Sequence, residues 1–304
     1  MRQDLQLKID VAIHLLKKVE PIALKYRDFG FIGAFSGGKD SQVIRQLLNM
    51  AEVAHIMKYQ WTTIDPPEVY HFIREQYPDV IIERPTESFW HLVLRHGILP
   101  TQYKRFCCRE LKESKDFHCV TVTGVRAAES PRRKLRQEVE IQTRRRHPEY
   151  VRGTLDMFNM YREHHTDCIQ GKDKLIINPI IDWTEEDVWE FLHYMDIPSC
   201  ELYDRGYNSV GCLFCPMASR RSLHMMEHDY PKYREAFIRL IHRIREKRVQ
   251  NGGYDIYQTL TDEEVFSAWL NKISYKKMLG EQCQTCIPFD FSCSDEKNSL
   301  PLQP

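Results

Sequence analysis

The sequence predicts an α/β protein: a parallel sheet with helices on both faces, followed by a C-terminal helical extension. Three observations carry this expectation. Short apolar runs alternate with segments of helical periodicity through the first half of the chain. The run from Phe31 to Phe35 passes directly into the glycine turn Ser36-Gly37-Gly38-Lys39-Asp40-Ser41. That turn opens a helical pattern with Val43, Ile44, Leu47 and Leu48 on one face.

The elements follow in order. Leu5, Ile9, Ile13, Leu16 and Val19 recur at helical spacing, so the chain opens with a helix that packs on the sheet. After the first strand and its helix, His55 to Ile64 reads as a second strand, ended by Asp65-Pro66-Pro67. A helix from Glu68 to Gln76 follows, then a third strand at Val80-Ile81-Ile82 and a fourth at Val120-Thr121-Val122-Thr123. Beyond Glu129 the periodicity weakens, and Arg132, Arg133, Lys134, Arg136, Arg144, Arg145 and Arg146 cluster in a polar stretch. Thr184-Glu185-Glu186-Asp187 carries a capping pattern that starts a helix through Val188, Trp189, Phe191 and Leu192. An amphipathic basic helix is expected from Pro231 to Arg248, with Phe237, Leu240, Ile241 and Ile244 as its buried stripe, and another from Asp262 to Ile273. The stretch after Gly280 reads as loop or tail. Residues 1–225 are therefore expected to form the sheet-bearing domain, and 226–304 a helical extension with a cysteine-containing tail.

Composition sets the outer bounds. With 304 residues, the chain accommodates one large domain plus an appendage. Its 43 basic and 43 acidic residues give a formal net charge of zero, so no global field drives it to nucleic acid or an anionic membrane. The first residues, Met1 to Gln6, carry no apolar segment, and no run of about 18 apolar residues occurs. A cytoplasmic protein with no membrane partner is the expectation. Ten cysteines in such a protein suggest metal or redox chemistry more than a disulfide framework.

The glycine turn is the first candidate site. A strand, a tight turn and a helix start make a phosphate-binding arrangement, because glycines let the backbone approach and the helix dipole adds positive potential. Lys39 supplies a point charge for phosphate oxygens. The spacing is not that of the NTPase loop, so γ-phosphoryl transfer is not implied. The cysteines are the second candidate. Cys107-Cys108 and Cys212-x-x-Cys215 form two short-range pairs about a hundred residues apart. Adjacent cysteines diverge and suit a single zinc ion less well, whereas a multi-iron cluster accepts thiolates from a wider spread of directions. Zinc and unliganded cysteines stay open as alternatives. Cys119 leads into a strand and reads as a small core residue.

Ser36-Gly37-Gly38-Lys39-Asp40-Ser41 resembles the pyrophosphate-binding (PP) loop of the adenine nucleotide α-hydrolase superfamily. Four later segments narrow the resemblance to the phosphoadenosine-phosphosulfate (PAPS) reductase family. They are Arg105-Phe106-Cys107-Cys108-Arg109-Glu110-Leu111-Lys112, Gly124-Val125-Arg126-Ala127-Ala128-Glu129-Ser130, Asn178-Pro179-Ile180-Ile181-Asp182-Trp183 and Gly211-Cys212-Leu213-Phe214-Cys215-Pro216. The resemblance implies a Rossmann-like sheet and chemistry at the α-phosphorus of ATP, or at the sulfur of APS or PAPS. It implies that Ser36, Gly37, Gly38, Lys39, Asp40 and Ser41 hold the phosphates with Mg²⁺, and that Thr62, Arg126 and Arg132 join the cofactor site. Lys39 and Arg126 are then the expected catalytic residues. Asp40 is expected either to help place the metal or to cap the helix. Cys107, Cys108, Cys212 and Cys215 resemble the ligands of a [4Fe–4S] cluster, with Asp182-Trp183 and Tyr203-Asp204-Arg205-Gly206 expected to shape its wall.

Two departures from the family pattern matter. Thr62-Thr63 stands where the reductases usually carry Asp-Thr-Gly, and the Glu-Cys-Gly-Leu-His tail motif is absent, although Cys283, Cys286 and Cys293 lie near the C-terminus. The double threonine resembles the phosphorothioation-type and phage-type branches more closely, and together with the missing tail motif it points away from sulfate reduction. The expectation is an ATP pyrophosphatase that adenylates a substrate for sulfur transfer, with a cysteine desulfurase as sulfur donor. One alternative is a sulfonucleotide reductase that uses a tail cysteine and thioredoxin. Another is a non-catalytic nucleotide- or nucleic-acid-binding subunit. The arginine-rich stretch 132–146 suits a polynucleotide backbone, and equally a substrate loop balanced by Glu138 and Glu140.

Overall fold

The computed structural model describes residues 1–113, 115–142, 150–153, 174–252 and 259–273. Its sheet has seven described strands in the order β3-β2-β1-β4-β7-β5-β6. These are β1 (Phe31–Phe35), β2 (His55–Gln60), β3 (Ile81–Glu83), β4 (Val120–Val122), β5 (Val139–Gln142), β6 (Tyr150–Gly153) and β7 (Lys174–Ile177). The first five in spatial order run parallel; β5 is antiparallel to both β7 and β6. The central strands β4 and β7 are buried at every residue. Such continuous burial requires cover on both faces, as expected of a doubly covered, Rossmann-like α/β sheet.

The opening helix α1 (Gln3–Tyr26) buries Leu5, Ile9, Leu16 and Val19 and packs on α2 (Lys39–Met50), β1 and β4. Helix α3 (Pro67–Gln76) starts on a proline, whose fixed φ and missing N–H suit the first turn. Helix α4 (Phe89–His96) is capped by Ser88, whose Oγ accepts from the His91 amide. Helix α5 (Phe106–Cys108) runs into a π-helical turn over Arg109–Glu113. Helix α6 (Glu185–Tyr194) begins with the expected capping box: the Asp187 amide donates to Thr184 Oγ1 at 3.1 Å, and the Thr184 amide to Asp187 Oδ2 at 2.8 Å. Then come α7 (Arg220–Asp229), α8 (Pro231–Gln250) and α9 (Asp262–Leu270). Helix α8 buries the stripe expected of it, Phe237, Leu240, Ile241 and Ile244. Phe237 meets Phe89, Trp90, Phe214 and Trp269 with ring centroids 5.2–5.7 Å apart, so the last helices share one core with the sheet domain.

Three departures from the sequence reading have physical causes. The second strand stops at Gln60, because the chain turns at Thr62, whose amide and hydroxyl both bond Asp65. Strand β7 was not expected; its four residues are too few to show a period. The polar stretch after Glu129 holds a strand, β5. Its Val139 and Ile141 face the core, while the buried Glu140 is neutralised by Arg136 at 2.5 Å. Arg144, Arg145, Arg146, Cys168, Cys283, Cys286 and Cys293 lie outside the described residues.

Candidate active site

Strand order reverses between β1 and β4, and the crevice at such a reversal is where open α/β sheets bind ligands. The loop leaving β1 is Ser36–Ser41 and the loop leaving β4 carries Arg126, so two distant segments meet there. Gly37 takes a φ of +71°, and a Cβ on it would sit 3.1 Å from Ile73. Gly124 allows a closer approach still, since a Cβ there would meet the Asp40 backbone at 2.9 Å.

The loop is braced from within. The Ser36 amide donates to Ser41 Oγ at 3.2 Å, and Ser41 Oγ donates to the Gly38 carbonyl at 2.7 Å. Gln42 holds the Gly37 carbonyl at 3.2 Å and accepts from the Tyr77 hydroxyl at 2.8 Å. Asp40 does not cap the helix; the N-cap is Gly38, without a side-chain bond. Its carboxylate instead accepts from Arg126 Nε at 2.6 Å.

Lys39 and Arg126 are 3 % and 2 % exposed. Buried cations need partners. The Lys39 ammonium donates to the Asn208 carbonyl at 3.0 Å and pairs with Glu185 Oε1 at 3.2 Å. The Arg126 guanidinium reaches the other Glu185 oxygen, Oε2, at 2.7 Å. One carboxylate therefore bridges both cations. Burial works against the charged form of Glu185, but the Arg126 hydrogen bond and Lys39 outweigh it and hold the carboxyl below its ordinary value. The Trp189 indole donates to Glu185 Oε1 at 3.3 Å. Tyr203, expected beside the cysteines, is found here: its hydroxyl accepts from the Lys39 amide at 2.9 Å. Trp183, expected in the same wall, is a core residue against Phe191. Arg132 is exposed on the loop beyond Arg126, at the start of the 3-10 turn Arg133–Leu135.

Cys107, Cys108, Cys212 and Cys215 line one cavity, together with Thr62, Lys112 and the apolar side chains of Phe89, Leu111 and Phe214. Phe214, between the second pair, has a φ of +51°, a conformation that turns the short segment back on itself. Glu110 anchors the first pair by holding His96 at 2.7 Å and Arg95 at 2.6 Å, while His96 stacks on Phe106. Thr62 lies on this side of the site, its Oγ1 3.5 Å from Cys212 Sγ, and Asp65 Oδ1 accepts from the same thiol at 3.5 Å. The Cys107 thiol donates to Cys108, which holds Cys108 below and Cys107 above the ordinary thiol value; Arg105 also favours the Cys108 thiolate. Burial pushes Cys212 up to about 12, with Lys112 acting in the opposite sense. Among the described residues, no three His, Cys, Asp or Glu side chains close on a single-ion site; the four thiols wall a shared cavity. Cys119 is fully buried apart from them, its thiol donating to the Asp116 carbonyl.

The Ser36–Ser41 loop and the cysteine cavity are neighbours along one segment. Val210 lies 3.7 Å from a Cβ built on Gly38, Asn208 holds Lys39, and Cys212 follows two residues after Val210. Glu185, Trp189 and Asn208 were not singled out in the sequence. Glu185 read as part of a capping box, and Asn208 contributes only its carbonyl, which no side-chain pattern reveals.

Comparison with known proteins adds the following. The family model described as phosphoadenosine phosphosulfate reductase domain matches residues 30–218. An uncharacterized protein of Methanocaldococcus jannaschii is 25 % identical over 255 residues, covering 80 % of this chain and 53 % of that protein. The chain thus spans about half the length of that relative. Adenosine 5'-phosphosulfate reductase 2 of Bacillus subtilis is 26 % identical over 219 residues, covering 67 % of this chain and 81 % of that protein. Among solved structures, the U34-tRNA thiolase NcsA of Methanococcus maripaludis with its [4Fe-4S] cluster matches at a TM-score of 0.35 and 14 % identity, over 95 % of this chain and 89 % of that one.

Proposed function

The chain belongs to the phosphoadenosine phosphosulfate reductase domain family, and from that premise we propose that it is a PP-loop ATP pyrophosphatase that adenylates a substrate for sulfur transfer. The observation that carries the reading is the adjacency of an anion slot, held by Lys39 and Arg126, to a cavity lined by four cysteines. Ser36, Gly37, Gly38 and Ser41 set the loop for the β- and γ-phosphates, with Mg²⁺ bound to the nucleotide. A nucleophile on the substrate attacks the α-phosphorus, the bond to the bridging oxygen breaks, and pyrophosphate leaves. Lys39 and Arg126 stabilise the charge that grows on the phosphate oxygens, where preorganised donors contribute most.

The donor set fits an iron–sulfur cluster. Four thiols lining one cavity match the four-cysteine ligation of a [4Fe–4S] cluster in number, and Lys112 and Arg105 would offset its negative charge. Cys107, Cys108, Cys212 and Cys215 would hold it, and it would bind the incoming sulfur or organise the substrate pocket. Thr62, beside Cys212, belongs to this pocket rather than to the phosphate loop. We place the protein in the cytoplasm; among the described residues no helix is long and apolar enough to cross a membrane.

The test is release of pyrophosphate from ATP in the presence of candidate acceptors. Lys39-dependent release is expected, and its absence with every acceptor would overturn the reading. A sulfonucleotide reductase is the second reading, favoured by the match to the Bacillus subtilis enzyme. It requires sulfite release from adenosine 5'-phosphosulfate that is lost on Cys283→Ser or Cys286→Ser.

A further inference from the structure

Glu185 stands in an unusual position for a helix-starting acid. Both of its oxygens are engaged, Oε1 by the Lys39 ammonium at 3.2 Å and Oε2 by the Arg126 guanidinium at 2.7 Å. Yet its side chain is 53 % exposed, while the two cations beneath it are almost fully buried. The carboxylate is therefore a lid on a cationic slot, held from the solvent side. Its backbone is fixed independently by the Thr184–Asp187 capping box, so the side chain can leave without moving α6. A carboxylate and a phosphoryl group offer two anionic oxygens with nearly the same bite.

We infer that Glu185 holds the place of a single phosphoryl group, so that Lys39 and Arg126 grip the same phosphoryl group of a ligand and give up Glu185 to do so. The inference rests on the reading of this crevice as a phosphate site. It deepens that reading in two respects. Lys39 and Arg126 act on one phosphoryl group together, not on two in succession. Glu185 sets the affinity by competing for the slot from within the chain. When it is displaced, its charge moves out to the solvent side, where the half-exposed side chain already lies.

Isothermal titration of inorganic phosphate and inorganic pyrophosphate into the wild-type chain, Glu185→Gln and Glu185→Ala tests this. Loss of a half-exposed ion-pair competitor is expected to tighten both ligands about fivefold in both variants, in proportion to the roughly 1 kcal/mol of such a pair. If Glu185 merely braces Lys39 and Arg126 for binding, the variants bind more weakly or equally, and the inference falls. If pyrophosphate tightens and phosphate does not, the two cations serve different phosphoryl groups and the shared grip falls. If neither anion binds any of the three proteins, there is no slot for Glu185 to hold, and the inference falls together with the phosphate reading. Tightening without pyrophosphate release from ATP would leave the inference standing and overturn only the proposed reaction.

Discussion

At the scale of single residues, burial decides which charges matter. Lys39 and Arg126 are almost fully buried beneath a half-exposed Glu185, so each is committed to the crevice. Lys39→Met is expected to lower pyrophosphate release at least about 100-fold, the usual cost of removing one preorganised donor from an anionic transition state. A rate within tenfold of wild type would remove Lys39 from the mechanism. The cysteines separate in the same way. Anaerobically purified Cys107→Ser and Cys212→Ser proteins should lose bound iron and visible absorption, while Cys119→Ala, away from the cavity, keeps both. Iron content unchanged in the two serine variants would exclude the four-thiol set. Arg132, exposed on its loop, makes no such commitment to the crevice.

At the scale of elements, close approaches fix the site. The end of β4 lies against the first turn of α2 only because Gly124 has no side chain there. Gly124→Ala drives a methyl into the Asp40 backbone, and overpacking of this kind costs about 1–3 kcal/mol. The expected signature is a lower urea midpoint together with weakened pyrophosphate binding, since the helix start must shift. Helix α6 is tied to α1 through Asp187, which is 1 % exposed and accepts from Lys8 Nζ and an Arg2 guanidinium nitrogen, each at 2.5 Å. Burial disfavours its charge, but the bonds from Lys8 and Thr184 prevail and take its pKa from 3.8 to about 2. A depressed folded-state pKa gives stability that is full above the unfolded value and is lost as pH falls through the folded one. Roughly 2 kcal/mol should therefore disappear between about pH 4 and pH 2. Asp187→Asn should flatten that part of a urea-midpoint against pH curve; an unchanged slope would show that Asp187 contributes nothing to it.

At the scale of the whole molecule, the C-terminal helices support the cysteine site. Phe237 of α8 is fully buried at the centre of an aromatic cluster that includes Phe214, which lies between Cys212 and Cys215. The Trp269 indole on α9 donates to the Pro100 carbonyl at 2.7 Å, and Lys272, just past that helix, donates to the Ala218 carbonyl at 2.9 Å, so the chain before the first cysteine pair and after the second is tied to this end of the extension. Phe237→Ala should cost about 3–5 kcal/mol and release iron at lower denaturant than wild type. Loss of stability with iron retention unchanged would uncouple the extension from the site. We propose on these contacts that helices α8 and α9, although an addition to the sheet domain, serve as its clamp.

By itself, the sequence determined the local elements and named the candidate groups. Alternating apolar runs, the Ser36–Ser41 turn and the two cysteine pairs each signal through residues close together in the chain, where period and spacing can be read. Val139 and Ile141 were hidden in a basic stretch, and Lys174–Ile177 was too short to show a period. Only the tertiary structure decided who meets whom. Strand order brings Arg126 to Asp40, 86 positions away, and helix α6 brings Glu185 across both cations. It also moved Tyr203 from the cysteines to the Ser36–Ser41 loop and Thr62 in the opposite direction. The physical reason is that a carboxylate's local context, here a helix start, fixes its backbone, whereas the partner of its charge is chosen by which buried cations the folded sheet leaves uncompensated.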